Sequence, residues 1–166
     1  NSMPILQPVM LTRIDGHSCW VNQAAMHLSG LDVSSDPPDG GNIINDCILI
    51  DNAMNPVKFV IPKPDEKIVE KWIKLALDII IPRGITNIHD AWQDPTTVKV
   101  LQELSQNNGL PIRIYGMLGS SYPKLLKKVF KEGHVNSNNY SIRSIKAFID
   151  GALGSRGAAI LEPYSD

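Results

Sequence analysis

The sequence is short of the features that mark several protein classes. It has two cysteines, Cys19 and Cys47, too far apart for a zinc ribbon or a Cys-x-x-Cys redox pair and too few for a disulfide framework. They read as two reduced thiols of a cytoplasmic protein. Neither sign of charge predominates: 16 Lys and Arg against 17 Asp and Glu leave a formal charge of −1. The electrostatic drive of a nucleic-acid binder is therefore missing. No apolar run approaches the roughly 18 residues of a membrane helix, and no charged-then-apolar leader opens the sequence, in which Met3 reads as a natural start. Histidine is scarce too. The four are His17, His27, His89 and His134, none spaced as His-x-His or His-x3-His, so local spacing yields no complete metal site.

What is present fits a soluble α/β domain with its own core: 166 residues, 43% apolar and 20% charged. The organisation changes near Pro62–Pro64. Residues 64–166 alternate helical and strand patterns. An amphipathic helix is expected over 65–81, with Ile68, Trp72, Leu75, Ala76, Ile79 and Ile80 as its buried face. A strand follows over 84–90, ending at His89 and Asp90. A helix capped by Asp94 with Pro95 at its first position comes next. A strand over 111–118, a helix over 122–131 stopped by Gly133, a polar loop over 134–140 and a strand over 144–150 complete the series. This order is the pattern of βαβ units and a parallel sheet. Three such strands leave bare edges, for which self-association or cover by the first segment is expected. Residues 1–63 are more irregular: a strand over 8–14, a helix over 19–29, a turn at 36–41 and a hairpin strand within 43–51. They read as a small α+β segment.

Active residues of parallel α/β folds gather at the carboxyl ends of the strands. Lys146 stands out there, flanked by Ile145, Ala147, Phe148 and Ile149. An ammonium in such a strand snorkels to the rim, pairs with a carboxylate or is chemically modified. Asp150 ends the strand, and Gly151, Gly154 and Gly157 frame a loop that either presents Arg156 to an oxygen ligand or is an ordinary surface turn. In the first segment Arg13, Asp15 and His17 put three ionisable groups in five positions, and Asn22 follows. A lone histidine in such a loop is either structural or functional. Asp51 or Asn52 reads as a helix cap without chemistry.

These stretches, in order, are Pro8-Val9-Met10-Leu11-Thr12-Arg13-Ile14-Asp15-Gly16-His17, Trp20-Val21-Asn22 with Ala25, Asp36-Pro37-Pro38-Asp39-Gly40-Gly41, Gly84-Ile85-Thr86-Asn87-Ile88-His89-Asp90-Ala91 and the block from Lys146-Ala147-Phe148-Ile149-Asp150-Gly151 to Ala159. Together they resemble the amidohydrolase-3 branch of the metal-dependent amidohydrolases, which includes N-substituted formamide deformylases and proteins named exoenzyme regulatory protein. The resemblance implies a (β/α)8 TIM-type barrel whose divalent metal, zinc, activates water to hydrolyse a non-peptide, amide-type C–N bond of a small molecule. On it, this chain supplies strands two to four (64–166) and an α+β insertion covering the barrel mouth (1–63). Lys146 takes the place of a lysine that is carboxylated and bridges metals. Lys146, Asp150 and His17 are the implied catalytic groups, and Arg13, Arg156, Asn22 and His89 the implied substrate contacts. The family's His-x-His and its later histidines and aspartate are missing, and a barrel takes roughly 250 residues. An internal fragment, inactive alone and without tight metal binding, is therefore expected. The alternative is a stand-alone binding or regulatory module. No membrane or nucleic-acid partner is expected.

Overall fold

The computed structural model describes residues 7–32, 34–151 and 153–165. They fall into two units: Asn1–Lys63 with Asp150–Asp166, and Pro64–Ile149. Residues 150–166 thus go with the first segment rather than with the βα series. Among the described residues the fold is mixed α/β with two four-stranded sheets.

The first unit is built on an antiparallel sheet ordered β1-β2-β4-β3. Its parts are β1 (Met10–Thr12), β2 (Ser18–Val21), helix α1 (Gln23–Leu28), β3 (Gly41–Ile44) and β4 (Ile48–Asp51). A 3-10 turn, Asn52–Met54, and helix α2 (Asn55–Val60) follow. The expected helix over 19–29 is corrected. Cys19 and Val21 are buried while Trp20 between them is exposed, an alternation with a period of two that suits a strand. β2 pairs with β1 on one edge and β4 on the other, so ladder bonds on both sides override the helical reading. The helix starts only after Asn22, whose side chain caps it by accepting from the Ala25 amide. Cys19, Val21, Ala25, Met26, Leu49, Ala53, Met54 and Val57 form the core. Both cysteines are free thiols, and burial pushes the Cys19 thiol up.

The second unit runs α3 (Glu66–Ile80), β5 (Asn87–Gln93), α4 (Pro95–Gln106), β6 (Arg113–Gly119), α5 (Pro123–Glu132), β7 (Val135–Ser137) and β8 (Tyr140–Lys146). Asp65 and Asp94 cap α3 and α4 as their sequences suggest. β5, β6 and β8 are parallel, while β7 pairs antiparallel with β8. The sheet is therefore mixed, and the bare edge expected beside the last parallel strand carries β7. The expected polar loop over 134–140 is that strand and its turn. Its polar groups are satisfied within the unit: Ser137 Oγ donates to Ser105 Oγ at 2.8 Å and Asn139 Nδ2 to the Leu110 carbonyl at 2.6 Å. β8 accordingly starts earlier than expected and ends at Lys146, so Asp150 lies beyond it. His89 and Asp90 lie within β5, not at its end. The buried face of α3 is also corrected. Val69 and Leu77 are buried, with Ile73 and Ile80 packed against them, while Ile68, Trp72, Leu75 and Ile79 are exposed.

Strand alternation and register divide this sheet into two faces. Ile88, Ile114, Leu118, Tyr140 and Ile142 face α3, α4 and α5 and form the core with Val98, Leu101 and Leu104. The opposite face carries no helix of this unit, and on it lie Asn87, His89, Ala91, Tyr115 and Met117. A buried polar chain pins the helix-covered side. The Tyr140 hydroxyl donates to Gln93 Oε1 at 2.5 Å, and Gln93 Nε2 donates to Asp90 Oδ2 at 2.8 Å. Gln93 is 1% exposed, and a Cβ on Gly116 would collide with its carboxamide. Burial, with the Asp90 charge adding, pushes the Tyr140 hydroxyl well above the usual tyrosine range.

Tyr140→Phe removes the donor and leaves a buried acceptor unsatisfied. It is expected to lower stability by about 1–3 kcal/mol in urea unfolding. In the parent chain the neutral phenol is favoured by folding, so its contribution is complete below the ordinary tyrosine pKa of about 10. Stability measured in unfolding at rising pH should fall above that value, and the Tyr140→Phe chain should lack this component.

Candidate functional site

The carboxyl ends of the three parallel strands lie side by side, at Gln93, Gly119 and Lys146, by the pairing of Gln93 with Leu118 and of Gly119 with Lys146. Two irregularities shape this end. In β5 the register slips between Ala91 and Gln93, and Trp92 takes a left-handed backbone conformation with φ of 79°, costly for an aromatic residue. Gln93 is thereby turned into the buried polar chain, and the Trp92 ring lies over Gly119, where a Cβ would come 3.1 Å from the indole. In β8 one extra residue, Arg143, breaks the register between Gly116 and Met117 of β6. After this bulge Lys146 pairs with Gly119, which places it on the face without helices.

Lys146 is half-buried at the last position of β8. Its Nζ stands 5.0 Å from the centroid of the Phe148 ring, and Phe148 packs against Trp92 with centroids 4.8 Å apart. Among the described residues the ammonium has no carboxylate partner and lies against an aromatic ring instead. His89 is exposed on the same face with its ring 5.1 Å from that of Tyr115. Trp92 and Phe148 were missed by sequence reasoning, because nothing in a strand pattern marks a bulge.

Asp150 and Arg156 belong to the first unit. The Asp150 carboxylate accepts from the Ala159 amide at 3.1 Å, and the Gly151 amide donates to the Gly157 carbonyl at 3.0 Å. A side chain at Gly151 would strike that carbonyl. The glycine loop is therefore a closed turn held partly by Asp150, with Arg156 exposed on it.

The remaining expected residues lie around β2. Arg13 binds Asp15 through two bonds, Nε to Oδ1 at 2.7 Å and Nη2 to Oδ2 at 2.6 Å, so its fork holds a carboxylate of this chain. Asn22 accepts from the Val9 and Ala25 amides at 2.9 and 3.0 Å and donates to the Gln7 carbonyl at 2.8 Å. Its amide ties the approach to β1 onto α1. His17 Nδ1 meets Asp51 Oδ1 at 2.8 Å. Asp51 makes no side-chain cap bond, which corrects its reading as a helix cap.

Among the described residues no three His, Cys, Asp or Glu side chains are grouped to hold a metal ion. The donors present do not make a metal centre by themselves. Among the described residues, too, no helix is long and apolar enough to cross a membrane.

The Arg13 guanidinium lowers the Asp15 carboxyl from 3.8 to about 2, assisted by the His17 amide. Any stabilisation from this pair is present above the ordinary value and fades as the pH falls through the lowered one. Arg13→Gln is expected to return the Asp15 pKa towards 3.8, read from carboxyl-carbon NMR titration.

The model of the Amidohydrolase family matches residues 6–166. The chain is 26% identical over 171 residues to "Putative amidohydrolase YtcJ" of Bacillus subtilis (strain 168), covering 96% of this chain and 32% of that protein. It is 28% identical over 180 residues to "Protein LONG AFTER FAR-RED 3" of Arabidopsis thaliana, covering 96% and 30%. A crystal structure of an uncharacterized metal-dependent hydrolase from Pyrococcus furiosus superposes with a TM-score of 0.71 at 25% identity, over 96% of this chain and 33% of that one. The chain thus spans about a third of the length of the curated relatives it matches.

Proposed function

The chain belongs to the Amidohydrolase family, and on that premise we propose that it is the second-to-fourth-strand portion of a metal-dependent hydrolase acting on a non-peptide, amide-type C–N bond of a small molecule. In this reading β5, β6 and β8 are three consecutive staves of a (β/α)8 barrel. Helices α3, α4 and α5 are its outer layer, the face bearing His89 and Tyr115 is its interior, and residues 1–63 are an insertion following the first stave. Two features of the second unit support it. Parallel sheets are normally covered on both faces, yet this one carries helices of its unit on one face only. Beside β8, a cleft of about 430 Å³ lined by Leu126, Val129, Phe130 and Ile145 is left for a further helix to close.

The observation that carries the functional reading is the position of Lys146. It ends the third parallel strand, where active residues of such barrels sit, and points to the open face beside an aromatic pair. Addition of carbon dioxide to its neutral amine, with loss of one proton, gives a carbamate. The half-buried cation then becomes an anion able to hold a divalent metal, zinc in our reading. The other ligands are assigned to parts of the longer relatives that this chain does not span. His17 and His89 are assigned to proton handling and substrate contact, and Asp150 and Arg156 to the loop at the site's rim. Arg13 and Asn22 have structural partners and are assigned the support of that segment. Alone, the chain is expected to be inactive and to offer the unpaired edge of β5 to a second copy.

The test is made in a polypeptide of the relatives' full length that includes this sequence. Hydrolysis of a panel of N-substituted amides should be detectable, and Lys146→Ala should reduce kcat/KM at least about a hundredfold with the fold retained by circular dichroism. Undiminished hydrolysis by the variant would overturn the role of Lys146. Tight, specific binding of a small molecule by the 166-residue chain, without hydrolysis by the longer one, would favour a binding module.

A further inference from the structure

We infer that Asp51 is a positioning residue for His17: it fixes the imidazole with Nδ1 protonated and Nε2 as the free, proton-accepting nitrogen. The bond between His17 Nδ1 and Asp51 Oδ1 is 2.8 Å long. An ionised carboxylate only accepts, so the hydrogen must sit on Nδ1, and in the neutral ring Nε2 then carries the lone pair.

Three further observations show that this contact is constrained. The Asp51 amide donates to the His17 carbonyl at 3.0 Å, so backbone and side chain of the two residues are joined. The His17 amide is held in turn by Asp15 Oδ1 at 3.2 Å. Asp51 adopts φ of 47° and ψ of −116°, a conformation that disfavours any residue with a Cβ. An aspartate rather than a glycine occupies this strained position, and its carboxylate goes to the imidazole instead of capping the following turn. Beside the pair, Arg13 is bound to Asp15 at 2.6 Å.

In the step this geometry allows, Nε2 takes a proton from water or a neutral hydroxyl or amide donor. The resulting imidazolium keeps its Nδ1 proton, and Asp51 neutralises it. The role in hydrolysis rests on the proposed function, whereas the fixed tautomer does not.

The experiment uses the full 166-residue chain labelled with 15N, the imidazole signals being assigned through His17→Gln. At a pH where the ring is neutral, two-bond nitrogen–proton correlations should show Nδ1–H and bare Nε2 for His17. Asp51→Gly suits the positive φ while removing the carboxylate, and Asp51→Asn keeps the shape without the charge. In both, the Nε2–H form should become prominent. The second readout is the rate of His17 acylation by p-nitrophenyl acetate: Nε2 attacks the acetyl carbon, p-nitrophenolate leaves, and water hydrolyses the acyl-imidazole. It should drop about tenfold or more in both variants, with amide spectra still dispersed as in a folded chain. A role confined to holding the fold would move the unfolding midpoint but not this rate. An Nε2–H tautomer in the unsubstituted chain, or unchanged tautomer and rate in both folded variants, would overturn the inference. It would leave the hydrolase reading to stand or fall on Lys146.

Discussion

The architecture of the second unit depends on burying a parallel sheet that its own helices cover on one side only. Three parallel strands and one antiparallel edge strand pair laterally, leaving the outer edge of β5 unpaired, and α3, α4 and α5 supply apolar cover to a single face. The buried chain from Tyr140 through Gln93 to Asp90 ties β8 to β5 across β6. Because β6 offers only Gly116 at the crossing, the Gln93 carboxamide fits there. What happens at the open face follows from that pin. Drawing Gln93 inward requires the slip in β5, the slip drives Trp92 into a left-handed conformation, and the indole covers Gly119. The matching bulge in β8 turns Lys146 to the same side.

The parts of the fold legible in the sequence were those fixed by local chemistry. Asp65 and Asp94 cap their helices because a carboxylate two or three residues ahead satisfies amides that lack partners. Gly133 ends α5 for an equally local reason: with φ of 92° it takes a conformation open chiefly to glycine. The illegible parts were set by partners distant in sequence. Cys19 to Val21 became strand because β1 and β4 were available on both sides. The polar residues of β7 and its turn joined the sheet because Ser105 and Leu110 received the hydrogen bonds of Ser137 and Asn139. On α3, apolar residues occupy two faces, and periodicity alone could not say which one Val69 and Leu77 would lead into the core.

The candidate site divides along the same line. Lys146 was conspicuous because a cation in an apolar strand is costly wherever it points, and family resemblance gave that cost a meaning. Its neighbours Trp92 and Phe148 depend on two register shifts that no period in the sequence records. Asp51 was legible only as a cap, since the carboxylate's real partner, His17, lies 34 positions away. Arg13 and Asn22 showed the reverse. Their residue types suggested contacts with a substrate, and the hydrogen bonds that they make within the fold carried no signal in the sequence.

The measurement that most directly tests the central account is amide hydrogen exchange along β5, in this chain and in a polypeptide of the relatives' full length containing it. Among the described residues β5 is an edge strand, paired to β6 alone. If it is an interior stave of a closed barrel, the amides of Asn87–Gln93 that point away from β6 should exchange rapidly in the 166-residue chain and at least about a hundredfold more slowly in the longer protein. Equal, rapid exchange of those amides in both would contradict the barrel reading, and with it the placement of Lys146 at the mouth of one.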